Sequence, residues 1–153
     1  MIKYIQGNIF DSKCDAIVNP VNCRSTMGKG LALSFKAKYP KMFHEYQNAC
    51  RDGIIKIGKV YLHVVSKDNP KFVFSFPTKD HWKDPSKIEY IASGLKSLVE
   101  YIEWSKDNIN IESIAIPLLG AGLGGLNENL IIDLITSTFE DLDYTVELYI
   151  SRK

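Results

Sequence analysis

One lysine in this chain stands where a lysine can do chemistry. Lys79 follows an apolar run, Phe72 to Phe76, within the segment Phe76-Pro77-Thr78-Lys79-Asp80-His81-Trp82. In a partly dry pocket a lysine amine has a lowered pKa and can act as base, nucleophile or Schiff-base former. The competing reading is an exposed lysine in a turn. A second pattern is Ile114 to Leu126, an apolar run that breaks into four glycines within six residues. A strand, a glycine-rich turn and a helix start form an anion cradle, because glycine admits a phosphate close to backbone N–H groups and the helix N-terminus adds partial positive charge. A flexible surface loop is the alternative. Asn19 and Asn22 flank a turn after another apolar run. Their amides can orient sugar hydroxyls or serve the turn itself. His81 and Trp82 neighbour Lys79; the indole suits a base or sugar face, or the edge of a core.

Several chemistries are excluded by pattern. No G-x-x-x-x-G-K-[ST] loop, H-E-x-x-H pair, G-x-S-x-G elbow or Ser/His/Asp arrangement occurs. Gly120, Gly122 and Gly125 satisfy G-x-G-x-x-G, but far from a first βαβ unit.

The elements that must position these residues alternate. Ile2 to Ile5, Ala16 to Val18, Val60 to Val65, Phe72 to Phe76, Ser113 to Pro117 and Tyr144 to Ile150 read as strands. Ala16 to Val18 is apolar on consecutive residues, so both its faces are expected to be buried, with Pro20 ending it. Leu31, Phe35 and Tyr39 mark one helical face, stopped by Pro40, and Met42 to Ala49 a second helix. Ser86 with Glu89 reads as a capping box before the amphipathic stretch Ile88 to Ile102. Asn127 reads as the N-cap of a helix that buries Leu130, Ile131, Leu134, Ile135, Thr138, Phe139 and Leu142. The pattern predicts an α/β sandwich on a mixed sheet. If the relevant strands are parallel, Asn19 to Gly30, Thr78 to Trp82 and Gly120 to Gly125 converge on one crevice at their carboxyl ends.

Composition sets limits. At 153 residues one domain is expected, burying roughly 70% of its unfolded surface. A net charge of +1 argues against a general nucleic-acid clamp, although Lys29, Lys36, Lys38 and Lys41 cluster in sequence. Three cysteines without C-x-x-C spacing fit a reducing compartment and argue against zinc. No apolar stretch reaches about 18 residues, so a cytoplasmic chain without a membrane span is expected. Residue chemistry alone thus leads to an α/β domain for a phosphate-bearing, nucleotide-like ligand, with no reaction selected.

Four segments together resemble the macrodomain family: Gln6-Gly7-Asn8-Ile9, Asp15 to Asn22, Ile114 to Pro117, and Gly120 to Leu126. The resemblance spans essentially the whole chain and implies a single macrodomain over residues 1–153, a three-layer α/β/α sandwich with a mixed central sheet that binds ADP-ribose. Met27 to Lys36 and Phe76 to Trp82 look like the branch of the DarG-like DNA ADP-ribosyl glycohydrolase antitoxins, which includes the human terminal ADP-ribose glycohydrolase. That likeness implies catalysis by Lys79 and release of ADP-ribose from a DNA base or an acidic protein side chain. A non-catalytic reader and an ADP-ribose 1″-phosphate phosphatase are the alternatives. It places Asn8 and Ile9 at the adenine, where relatives carry aspartate for Asn8. It places Asn22 near the distal ribose, with Asn19, Thr78 and His81 also against substrate. Gly28, Lys29, Gly30, Leu31 and Ala32 form one phosphate loop, and Gly120, Ala121, Gly122, Leu123, Gly124, Gly125 and Leu126 the other, with Tyr149 near adenine. The human enzyme has a catalytic aspartate where this chain has Gly124. No metal or cofactor is implied. The implied partners are ADP-ribosylated DNA or protein, single-stranded DNA and a toxin ADP-ribosyltransferase, with the chain a monomer.

Overall fold

The computed structural model describes residues 1–150. Its strands are β1 (Ile2–Gln6), β2 (Ala16–Val21), β3 (Tyr61–Val64), β4 (Phe72–Pro77), β5 (Ser113–Pro117) and β6 (Thr145–Ile150). Its helices are α1 (Gly30–Lys38), α2 (Pro40–Arg51), α3 (Ile88–Ser105) and α4 (Glu128–Phe139), and a short 3-10 turn spans Ile9–Asp11. The sheet order is β1-β6-β5-β2-β4-β3. Only β3 runs antiparallel, as the hairpin partner of β4.

Alternation along the central strands builds two cores. Val18, Phe74 and Ile116 point to one face and pack with Ile91, Leu95, Leu98, Ile131, Ile135 and Phe139 of α3 and α4. Ile17, Val73 and Ala115 point to the other, with Phe35, Met42, Phe43 and Tyr46 of α1 and α2. β2 is thus covered on both faces, as its unbroken apolar run requires. The parallel strands share one direction, so their carboxyl ends share one edge of the sheet. The segments after β1, β2, β4 and β5 therefore meet there.

Three local expectations are corrected. Pro20 does not end β2, which runs on to Val21. Val21 O accepts from Thr78 N at 2.9 Å, so Val21 turns its polar groups to the β4 side and Pro20 turns its own the other way. There the pairing with β5 spans only Ala16 and Ile17, and the missing N–H leaves no ladder bond unmade. α1 does end before Pro40, as expected, and Pro40 is also the first residue of α2, with its fixed φ already helical. The Ser86 capping box does not form: Lys87 is the N-cap of α3, without a side-chain bond, and Ser86 N donates instead to Gly124 O at 3.0 Å. Leu130 is 60% exposed, because Ile131, Ile135 and Phe139, spaced four apart, take the buried stripe of α4. Asn127 caps α4 as expected, its side chain accepting from Leu130 N at 3.2 Å.

Candidate active site

The segments at the carboxyl edge are tied to one another. Cys23 N donates to Asp80 O at 3.0 Å, and Arg24 pairs with Asp80 at 3.0 Å, joining the loop after β2 to the one after β4. Lys79 Nζ donates to Leu123 O at 3.1 Å, joining that segment to the glycine loop. The start of α1 closes the ring: Leu123 Cδ1 lies 3.1 Å from where a Cβ on Gly30 would sit. Lys79 is half-buried at this junction.

Two runs of unused amides border it. Helix α1 begins with Lys29 as N-cap and makes no side-chain capping bond. Leu33 N is the first amide bonded back into the turn, to Lys29 O at 3.3 Å, which leaves Gly30, Leu31 and Ala32 as the orphan donors of a helix start. In the glycine loop Ala121 N, Gly125 N and Leu126 N bond to Leu118, Gly122 and Gly120 carbonyls. The amides of Gly122, Leu123 and Gly124 carry no such bond among the described residues. Of the seven positions expected to present amides to a diphosphate, Ala121, Gly125 and Leu126 therefore shape the loop instead. Gly120 and Gly125 take φ values of +75° and +81°, the left-handed turn that only glycine adopts freely. Gly124 is glycine for another reason. A Cβ there would meet Gly120 O and Ser86 Oγ, each at 2.4 Å. The position where the human enzyme carries an aspartate is thus closed in this chain, and no lysine–aspartate pair forms across the crevice.

The remaining expected residues divide. Asn8, Ile9, Leu31 and Tyr149 line one open groove of about 950 Å³, with Lys38 and Pro117. Asn8 Oδ1 accepts from Phe10 N at 3.0 Å, capping the 3-10 turn, so its amide NH2 is the group left for a ligand. Tyr149 presents its ring, because its hydroxyl is turned inward to Glu147 at 3.0 Å. Burial and that carboxylate push the phenol up to about 12.

Asn22 is committed to its own loop. Its Nδ2 donates to Thr26 O and Oγ1 at 3.1 and 2.8 Å, and its Oδ1 accepts from Arg24 N and faces the Tyr46 hydroxyl, both at 2.8 Å. These bonds use both amide hydrogens and both acceptor sites of the side chain, so in this structure Asn22 serves its own turn. Asn19 is not in a turn. It lies buried in β2 with Nδ2 3.7 Å from Met27 Sδ, and its Oδ1 has no partner. Thr78 is buried and extends the ladder to Val21. His81 closes a turn, its Nδ1 accepting from Lys83 N at 3.0 Å. Gly28 and Lys29 are exposed. Ser86, read as a cap, proves to be the floor under Gly124, and no sequence pattern carried that signal. Among the described residues no group of three His, Cys, Asp or Glu could hold a metal, and no helix is long and apolar enough to cross a membrane.

A family model described as the Macro domain matches residues 18–134. A DNA ADP-ribosyl glycohydrolase of Mycobacterium tuberculosis is 43% identical over 143 residues, 93% of this chain but 40% of the relative. A DNA ADP-ribosyl transferase–DNA ADP-ribosyl glycohydrolase fusion protein of Thermosipho africanus is 32% identical over 97% of this chain and 42% of its own length. The chain thus spans about two fifths of these curated relatives. Among solved structures, the macrodomain of Mycobacterium tuberculosis DarG superposes with a TM-score of 0.91 at 41% identity, covering all of this chain and 98% of that one. Thermosipho africanus DarTG in complex with ADP-ribose superposes with a TM-score of 0.87 at 32% identity, covering 97% of this chain and 41% of that one.

Proposed function

The chain belongs to the macrodomain family, and from that premise we propose that it is an ADP-ribosyl glycohydrolase that releases ADP-ribose from a modified base in DNA. The observation that carries this reading is the placement of Lys79, half-buried between two runs of unused amides and 3.1 Å from the Leu123 carbonyl. A module that only binds ADP-ribose has no need of an amine at that junction. The names of the relatives, DNA ADP-ribosyl glycohydrolases, favour DNA over an acidic protein side chain.

In the proposed mode the adenosine lies in the groove of Asn8, Ile9 and Tyr149. The diphosphate takes the amides of Gly30 to Ala32 and Gly122 to Gly124, where backbone donors and a helix start favour an anion. The distal ribose then reaches Lys79. Either the neutral amine attacks the anomeric carbon, the bond to the base breaks and its electrons leave with the base, and the resulting glycosylamine opens to a Schiff base that water hydrolyses to free lysine and ADP-ribose, or the ammonium steers a bond cleavage in which the electrons leave with the base and water takes up the anomeric carbon. Asn22 contributes by fixing the loop through Thr26, Arg24 and Tyr46 rather than by touching the sugar. A DNA ADP-ribosyltransferase is the partner we propose, acting as the toxin whose mark this chain removes. The fused relative pairs those two activities in one protein.

The test is turnover by the wild type and Lys79→Ala on ADP-ribosylated single-stranded DNA, ADP-ribosylated glutamate protein and ADP-ribose 1″-phosphate. Wild-type release from DNA, lost in Lys79→Ala with ADP-ribose binding retained, is the expected result. Full turnover by the variant removes Lys79 from the mechanism. Release of phosphate alone makes the chain a phosphatase, and no release from any substrate makes it a reader.

A further inference from the structure

Three residues beyond Lys79 the chain turns outward in an unusual way. His81 O accepts from Asp84 N at 3.0 Å, closing a turn whose tip is Trp82. The indole is 48% exposed and belongs to neither core. On one side the His81 ring sits 5.2 Å away, tilted by 31°, and Lys83 Nζ lies 5.0 Å from the indole centroid. The arrangement repeats further on, with Lys87 Nζ 5.7 Å from the ring of Tyr90. Two cation–aromatic pairs thus lie along the nine residues from Trp82 to Tyr90. Leaving an indole half in water is a cost that turn formation does not require.

We propose that this segment is the docking strip for the single strand of DNA next to the modified nucleotide, with the Trp82 ring taking the face of a neighbouring base and Lys83 and Lys87 its phosphates. The proposal rests on the glycohydrolase reading above and adds to it the residues that select a DNA strand. The chemistry matches in kind. An exposed aromatic ring offers stacking to any base, and a cation beside it meets the backbone charge. A duplex offers no free base face to such a ring, whereas a single strand does. An acidic protein segment would call for charge alone. The strip is not simply basic: Asp84 shares the turn and Glu89 follows in α3, while Asp80 is paired with Arg24. Lys36, Lys38 and Lys106 also lie over rings, and what singles out Lys83 and Lys87 is that their ring pairs follow Lys79 directly in the chain. The reach is right as well, since three residues span at most about 11 Å, so Trp82 stays close to whatever Lys79 acts upon.

The test compares an ADP-ribosylated oligonucleotide with the same ADP-ribosylated nucleotide alone. Trp82→Ala is expected to raise KM for the oligonucleotide about tenfold, the scale of one stacked base, with kcat within about twofold. Its kcat/KM on the single nucleotide stays that of the wild type, and Trp82→Phe recovers most of the loss. Lys83→Ala is expected to lower the salt dependence of oligonucleotide binding by about 0.7 in log–log slope, one phosphate contact on a single strand. Equal losses on both substrates, or none on the oligonucleotide, overturn the strip. So does wild-type release from ADP-ribosylated protein but not from DNA. A second measurement stands apart from turnover. The chain has two tryptophans, so Trp104→Phe leaves Trp82 as the sole indole. Quenching of its fluorescence by unmodified oligothymidylate supports the strip, and no quenching at millimolar strand overturns it. If the wild type releases ADP-ribose from neither DNA nor protein, the glycohydrolase reading fails and this titration alone decides the strip.

Discussion

Adding one methyl group at Gly124 tests the construction of the phosphate loop. The new Cβ would stand 2.4 Å from Gly120 O, 2.8 Å from Gly120 C and 2.4 Å from Ser86 Oγ. Backbone atoms cannot rotate away as a side chain does, so the loop itself must open. Overpacking of this kind costs about 1–3 kcal/mol. Opening also strains the bond from Ser86 N to Gly124 O, worth about 1 kcal/mol. A loss of about 2–3 kcal/mol corresponds to a fall in Tm of about 5–10 °C for a domain of this size. Displacing the free amides of Gly122 to Gly124 is expected to weaken ADP-ribose binding about 10- to 100-fold, since a hydrogen bond to a charged group contributes about 1.5–3 kcal/mol. Calorimetric titration with ADP-ribose and a thermal melt read both effects. Removing the Ser86 hydroxymethyl as well, in Ser86→Gly/Gly124→Ala, relieves only one of the two contacts and restores the protein in part. A Gly124→Ala protein with wild-type Tm and wild-type Kd would refute the packing argument. Gly124→Asp carries the same Cβ, so transplanting the aspartate of the human enzyme is expected to lower activity rather than raise it.

Three further outcomes follow from particular contacts. Asn8→Asp keeps the cap on Phe10 N and adds a charge that accepts from an adenine amino group, so it should tighten ADP-ribose binding several-fold in the same titration, whereas Asn8→Ala weakens it. Gly94→Ala would raise helix stability by about 1 kcal/mol in a free helix. In α3 its Cβ lands 2.3 Å from the Phe76 ring, so urea denaturation should show net destabilisation, relieved by Phe76→Leu. His63 is buried between Glu45 and Ser75 at 2.8 Å each, and burial holds its pKa below the ordinary value of 6.5 despite the glutamate. Below that ordinary value the unfolded chain takes up a proton that the folded chain refuses. Stability is therefore full above pH 6.5 and falls as pH drops towards the folded pKa, by up to about 1.4 kcal/mol per unit. Denaturation at a series of pH values should show that slope, flattened in His63→Gln.

The sequence carried the strands, the helices and their meeting point well, because these depend on periodicity and on where parallel strands must end. Asn127 as a cap and the buried faces of Ala16 to Val18 were legible for that reason. Two of the misreadings concern partners distant in sequence. Pro20 was read as a stop, because nothing local reveals that β5 has left the side to which its nitrogen points. Ser86 and Glu89 have the spacing of a capping box, yet a glycine loop 38 residues further on claims the Ser86 amide. Asn22 showed that it was a polar turn residue, but not that Thr26, Arg24 and Tyr46 would exhaust its amide.

The contact between Lys79 and Leu123 has a consequence for timing. The carbonyl of Leu123 and the N–H of Gly124 are two ends of one planar peptide unit, and in the trans form they point opposite ways. Lys79 holds one end, and the other makes no backbone bond among the described residues. Hydrogen bonds at the two ends of an amide polarise and strengthen each other. An anion arriving at Gly124 N–H would therefore make the Leu123 carbonyl a better acceptor for the bond from Lys79. In the proposed binding mode this one amide would couple the seating of a diphosphate to the hold on the amine. In that mode the lysine would be gripped hardest while the ligand is seated, so an attack by the neutral amine would have to begin with breaking that bond, whereas electrostatic help to a departing base would need no release.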